Sequence, residues 1–125
     1  MHTISIVDDD ASFRGAITGL VRSLGYAVAA FGSAEDFLAS GRVDDTDCLI
    51  TDVRMPGMSG IQLQSHLMAQ GYRVPIIFVA VDPGPKARQQ ALASGALCFL
   101  NKPFNETSLI SCLERAFAER RAPAP

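Results

Sequence analysis

The chain has 125 residues, 48% of them hydrophobic, and a formal net charge of -2, which describes one domain able to bury a core without covalent staples. So even a charge balance lacks the basic face of a nucleic-acid-binding module, and no apolar run approaches the roughly 18 residues of a membrane span. Met1-His2-Thr3 leads straight into a strand, so no signal peptide is expected and the cytoplasm is the default location.

Thr3 to Val7 is a β-branched, alternating strand ended by Asp8-Asp9-Asp10. Phe13, Ile17, Leu20, Val21 and Leu24 then recur at helical spacing, and Gly25 stops the helix. Tyr26 to Phe31 is a second strand. Ser33-Ala34-Glu35-Asp36 resembles a capping box ahead of a short helix that Gly41 ends. After a polar loop bearing Asp44, Asp45 and Asp47, the third strand, Cys48 to Thr51, delivers Asp52 into a Pro- and Gly-rich turn. Ser59 caps a third helix carrying Ile61, Leu63, Leu67 and Met68, which Gly71 terminates. Val74 to Val81 is the most apolar run, as suits a central strand buried on both faces. Asp82-Pro83-Gly84-Pro85 is a turn and helix entry. The fourth helix, Lys86 to Ser94, has a thin apolar stripe (Ala87, Ala91, Leu92) and should be the least firmly packed; Gly95 stops it. Ala96 to Leu100 is the fifth strand. Asn105 caps a last helix with Leu109, Ile110, Leu113 and Phe117 on one face and Arg120 and Arg121 near its negative dipole end. Residues 1–121 read as one domain and 122–125 as a tail or the start of a linker. The three cysteines, Cys48, Cys98 and Cys112, have no zinc or redox spacing and sit among apolar residues. They are read as small buried hydrophobes, compatible with a reducing compartment. His2 and His66 have no partner spacing and are placed on the surface.

A βα unit repeated five times implies an α/β fold: a doubly wound, five-stranded parallel sheet covered by helices on both faces. The flavodoxin-like strand order 2-1-3-4-5 is the common solution at this size. It sets the first and third strands side by side, so that Asp8, Asp9 and Asp52 meet at the carboxyl edge of the sheet. Three carboxylates there repel one another, and a hard divalent cation relieves that repulsion. A carboxylate can also serve as the nucleophile toward a phosphoryl group. Lys102, at the end of the fifth strand, faces the same edge and supplies a point charge for phosphate oxygens. Taken singly, these residues have plainer explanations. An acidic triplet can be a helix cap, Asp52 a turn residue, and a lysine before proline a surface charge. Their convergence at three strand ends favours a site.

Val7-Asp8-Asp9-Asp10, Thr51 to Gly60 and Asn101-Lys102-Pro103-Phe104 resemble the motifs of a bacterial response-regulator receiver domain, the CheY-like fold. The resemblance runs from about Thr3 to Phe117. The Ser33 to Leu38 and Asp52 to Pro56 segments are most similar to the FixJ subgroup, whose output is usually a LuxR-type helix-turn-helix domain. The resemblance implies that Asp52 accepts a phosphoryl group from a phosphohistidine of a sensor kinase or phosphotransfer protein. It implies Mg²⁺ held by Asp9, Asp52 and the backbone carbonyl of Arg54, with Asp8 acting through a bridging water. Lys102 would pair with a phosphoryl oxygen, the Lys102-Pro103 bond would be cis, and Phe99 matches an aromatic that reports the active state; it can equally be a plain core residue. The fourth helix, fifth strand and fifth helix would form a surface for dimerisation or partner docking. A DNA-binding output domain would lie beyond this chain.

One position departs from that pattern. The family normally carries Thr or Ser at the end of the fourth strand, where Ala80 stands here. Without that hydroxyl, coupling between phosphorylation and the following loop should weaken, so switching is expected to be atypical. Pro83 and Pro85 should stiffen the same loop, and Arg54 and Asp82 are placed to flank an attacking water. Two other functions compete. A phosphorylation-independent interaction domain would keep the fold but not the switch. A phosphohydrolase needs a second acid two residues after its nucleophile, and Arg54 occupies that place.

Overall fold

The structure, a computed structural model, describes residues 2–81 and 84–121, without the side chains of 119–121. Five βα units follow one another: β1 (Thr3–Val7), α1 (Ala11–Ser23), β2 (Ala27–Phe31), α2 (Ala34–Ala39), β3 (Cys48–Asp52), α3 (Gly60–Ala69), β4 (Ile76–Ala80), α4 (Pro85–Ala93), β5 (Cys98–Asn101) and α5 (Glu106–Arg121). The strands form one parallel sheet in the order β2-β1-β3-β4-β5, the expected topology. The expected turn at Asp82 and Pro83, the Arg54–Asp82 pair, the Arg120 and Arg121 side chains and the tail 122–125 lie outside the described residues.

Strand alternation divides the core. Ile4, Ile6, Ile50, Ile77 and Val79 face α1 (Ile17, Val21) and α5 (Leu109, Leu113, Phe117). Val7, Leu49, Phe78 and Ala80 face α2 (Phe37), α3 (Leu63, Leu67) and α4 (Ala91). All five residues of β4 are buried, as its unbroken apolar run requires. Gly25, Gly41, Gly71 and Gly95 each follow a helix with positive φ, so the expected stops are left-handed caps.

The caps refine the sequence expectations. Ser59 and Gln62 form a complete capping box on α3. Asn105 Oδ1 accepts from the Ser108 N–H at 2.8 Å. Ser33 Oγ accepts from the Asp36 N–H at 3.0 Å, and Glu35, one residue before Asp36, directs its Oε2 to accept from the Met58 N–H at 3.0 Å. That bond ties α2 to the loop after β3. His2 is only partly exposed and stacks on Phe117 with ring centroids 4.0 Å apart.

Helix α4 is as thinly packed as its sequence suggests. Ala91 is its only buried residue, Leu92 is 41% exposed, and Gly84 offers no side-chain cap. A polar clamp supplements it: buried Gln64 of α3 directs Nε2 to the carbonyl oxygens of Ala91 and Ser94, at 3.2 and 3.4 Å.

The three cysteines are buried, as expected of small hydrophobes, but two of them are also paired. Cys48 is buried and takes no part in a disulfide. Cys98 and Cys112 are joined, their Cα atoms 6.2 Å apart, within the usual span of such a bond. Linear spacing does not announce the pair because the fold creates it. Helix α5 returns along β5, and six helical residues (~9 Å) match three strand steps (~10 Å), which brings residue 112 back beside residue 98.

Candidate functional site

Parallel register assembles the site. Val7 pairs with Thr51, so Asp8 and Asp52 leave β1 and β3 side by side. Ala80 pairs with Asn101, which sets Lys102 just beyond the same edge. Its backbone N–H donates to the Ala80 carbonyl at 2.7 Å, and the Lys102-Pro103 bond is cis. Lys102 Nζ donates to Asp8 Oδ2 at 2.9 Å and to Asp52 Oδ2 at 3.2 Å. Asp9 completes the group: one carboxylate oxygen from each of Asp8, Asp9 and Asp52 lies within 4.8 Å of the others.

The acidic triplet is shared between two tasks. Asp10 caps α1, its Oδ1 accepting from the N–H groups of Ser12 and Phe13 at 3.0 and 3.1 Å. Asp8 and Asp9 are left for the site. Asp8 is 1% exposed; its Oδ1 accepts from the Asp10 N–H at 2.9 Å, and its carbonyl accepts from Arg14 Nη1 at 2.6 Å. Asp9 is exposed. Asp52 Oδ1 accepts from the Arg54 N–H at 3.2 Å.

The start of α3 packs closely behind Asp52. The Gly60 N–H donates to the Val53 carbonyl at 2.9 Å, and a Cβ at Gly60 would overlap the Asp52 carbonyl oxygen. Gly57, with φ of 76°, makes the turn between them. The Phe13 ring lies beneath Lys102, its centroid 3.8 Å from Nζ, an arrangement that favours a cation. Phe13 was legible only as part of an apolar stripe; nothing in the sequence marks it or Arg14 as part of the site.

Burial pushes the Asp52 carboxyl above its ordinary value, and the Asp8 charge adds to that. The Lys102 charge and the Arg54 N–H work against the rise without cancelling it. For Lys102, burial disfavours the ammonium, but the hydrogen bond to Asp8 and the charges of Asp52 and Asp8 outweigh it, so its pKa is raised. One ammonium thus faces three carboxylates, and the cluster retains excess negative charge. An all-oxygen donor set with that excess fits a hard divalent cation such as Mg²⁺.

Ala80 ends β4 at the same edge, 2% exposed, with only a methyl group to offer. Phe99, on β5, is buried against Phe78 at 6.0 Å between centroids, with the Arg88 guanidinium 5.8 Å from its ring.

A family model, the response regulator receiver domain, matches residues 4–114. Nodulation protein W of Bradyrhizobium diazoefficiens is 40% identical over 113 residues, which is 90% of this chain and 50% of that protein. The transcriptional regulatory protein TdiR of Thauera aromatica is 38% identical over 119 residues, 95% of this chain and 52% of its own length. The solved structure of FixJ-N superposes with a TM-score of 0.85 at 33% identity, covering 100% of this chain and 98% of that one. The chain belongs to the response regulator receiver domain family, the receiver module of two-component regulators. It spans about half the length of the curated relatives it matches. Among the described residues no helix is long and apolar enough to cross a membrane.

Proposed function

We propose that this receiver takes a phosphoryl group from a phosphohistidine of a sensor kinase or phosphotransfer protein onto Asp52. The observation that carries the proposal is Lys102 Nζ lying within hydrogen-bond reach of both Asp8 and Asp52. A carboxylate oxygen of Asp52 attacks phosphorus, and the phosphorus–nitrogen bond of the donor breaks. Such a transfer asks for positioning and charge neutralisation more than for bond-making help. Lys102 would pass from the Asp52 carboxylate to a phosphoryl oxygen at the same edge.

Asp8, Asp9, Asp52 and the backbone carbonyl of Arg54 would hold Mg²⁺. When bound, that ion supplies charge neutralisation at the phosphoryl oxygens. The chain catalyses only its own phosphorylation and dephosphorylation. Arg54, two residues after Asp52, cannot supply the acid that a phosphohydrolase of this design would need.

Residues 1–121 form the receiver unit, cytoplasmic in this reading, and 122–125 are a tail or the start of a linker; a C-terminal DNA-binding domain is the output that the relatives' family suggests. The surface of α4, β5 and α5 serves dimerisation or partner docking. Ala80 leaves the phosphoryl group without the hydroxyl that would draw the next loop inward. A hydrogen bond to a charged group contributes about 1.5–3 kcal/mol, so coupling at Ala80 and Phe99 is weak and switching is atypical.

The same alanine favours a second reading, an interaction domain that works without phosphorylation. Incubation with Mg²⁺ and a small phosphodonor, followed by mass mapping, decides between them. Phosphate on Asp52 supports the receiver reading. A chain that stays unlabelled while folded would establish the second.

A further inference from the structure

We propose that Cys98 and Cys112 form a reversible thiol–disulfide couple, exchanging with small-molecule disulfides, that fastens helix α5 to strand β5. Three observations meet at this pair. The fold brings the two residues together from adjacent elements with a Cα separation of 6.2 Å, which a disulfide spans without moving the backbone. The two residues sit in the seam between β5 and α5, 7% and 6% exposed. Arg115 Nη1 donates to Cys98 Sγ at 3.4 Å.

The guanidinium makes the two sulfurs unequal. A hydrogen bond from a neighbouring cation favours the thiolate form of the sulfur that accepts it, and of the two only Cys98 accepts one among the described residues. Cys98 is therefore the sulfur that carries the mixed disulfide in either direction. In the oxidising direction, the Cys98 thiolate attacks one sulfur of a small disulfide. A mixed disulfide forms and one small thiolate departs. Cys112 then loses its proton to solvent and attacks Cys98 Sγ, which breaks the mixed bond and expels the second small thiolate. Two cysteine thiols are oxidised, and one small disulfide is reduced to two thiols. Two small thiols drive the reverse reaction.

The bond closes a loop over a sequence separation of 14 residues. That loop carries Phe99, Lys102, Pro103 and Phe104. It leaves the acidic edge intact, because Cys98 opens β5 while Lys102 follows its far end. Oxidation therefore acts on the freedom of α5 rather than on the carboxylates. Reduction leaves α5 held, among the described residues, by its apolar face of Leu109, Leu113, Ala116 and Phe117.

The test uses the whole chain, reduced and then exposed to graded ratios of oxidised to reduced glutathione. The expected product is an internal Cys98–Cys112 bond, seen as the loss of two hydrogens in the native mass and located by peptide mapping. Dithiothreitol should reverse it without unfolding. The oxidised form should melt about 10 °C higher, the scale for a closed loop of this length in a domain of this size. Amide exchange should slow across residues 98–112. Cys112→Ala should trap glutathione on Cys98, and Cys48→Ser should leave the couple intact. Both thiols remaining alkylatable in the folded, oxidised protein would overturn the proposal. A bond that is reduced only on unfolding would do the same, as would an oxidised form whose α5 exchange is unchanged. No readout uses phosphate on Asp52, so these outcomes stand apart from the phosphoacceptor assignment.

Discussion

Replacing Lys102 with alanine removes the ammonium that lies 2.9 Å from Asp8 and 3.2 Å from Asp52. At an effective dielectric of 20 the two attractions amount to about 6 and about 5 kcal/mol before desolvation is counted. Taking the ammonium out of water offsets much of that sum, and removing one partner of a buried ion pair costs about 3–5 kcal/mol in net terms. Loss of the contact with the Phe13 ring adds to the same side. Urea unfolding at pH 7, followed by circular dichroism, should therefore show Lys102→Ala less stable by about 3–5 kcal/mol. Mg²⁺ should recover part of the loss, because a bound cation stabilises the folded state by mass action and the orphaned carboxylates need one. The deficit should narrow as pH falls and the Asp52 carboxyl protonates. In the wild type, Lys102 contributes fully below the unfolded lysine value of 10.5, and the contribution fades as pH rises through its raised folded value. A variant within about 0.5 kcal/mol of wild type at pH 7, the ordinary range for surface substitutions, would refute this account of the cluster. So would a deficit that does not change with pH.

Asp52→Asn should raise the melting temperature at pH 7. The folded Asp52 carboxyl is raised above its unfolded value of 3.8, so its ionised form opposes folding. The gain should be absent below pH 3.8, grow as pH rises through the raised value and stay level above it; a gain that persists at pH 3 would contradict the assignment. Gly60→Ala should lose about 1–3 kcal/mol or more, because its Cβ meets the Asp52 backbone rather than a yielding side chain; unchanged chemical denaturation would show that the contact relaxes freely. Ala80→Thr restores a hydroxyl at the end of β4. Amide shifts induced by a phosphate mimic should then extend further into α4 and β5 than in the wild type, and identical shift maps would dismiss Ala80 as the cause of atypical switching. Gln64→Leu should cost little in global stability, since the Ala91 carbonyl still accepts from the Ala96 N–H at 3.0 Å. Amide exchange at the end of α4 should nevertheless quicken, and protection unchanged there would remove the clamp.

The sheet order and the strand ends were legible because each depends on local chemistry: apolar runs of strand length, acids that end them and glycines that stop the helices. The meeting of Asp8, Asp9, Asp52 and Lys102 followed from topology once the strands were placed. That the acidic triplet could cap a helix was legible, but not that Asp10 alone does so, since three consecutive aspartates look alike until backbone geometry separates them. Glu35 also eluded the pattern: as an acid in the first turn of α2 it predicts only a favourable dipole contact, whereas its carboxylate accepts from the Met58 N–H in the loop after β3. Phe13, Arg14, Gln64 and the Cys98–Cys112 bond share one property. Each acts on a residue from another element, or from beyond its own turn, and periodicity carries no information about such partners.

The Gln64 clamp has a mechanical consequence. Helix α4 has little apolar grip along its length, and the amide of Gln64 holds only its trailing end, at Ala91 and Ser94. It is a lever pinned near one tip, its other arm, toward Ala80, held by lighter contacts of Ala87 with the core and Arg88 with the Phe99 ring. A disturbance at the carboxylate edge would swing the arm about that fulcrum rather than slide the whole helix, and the largest displacement would fall beside the one side chain too short to push it.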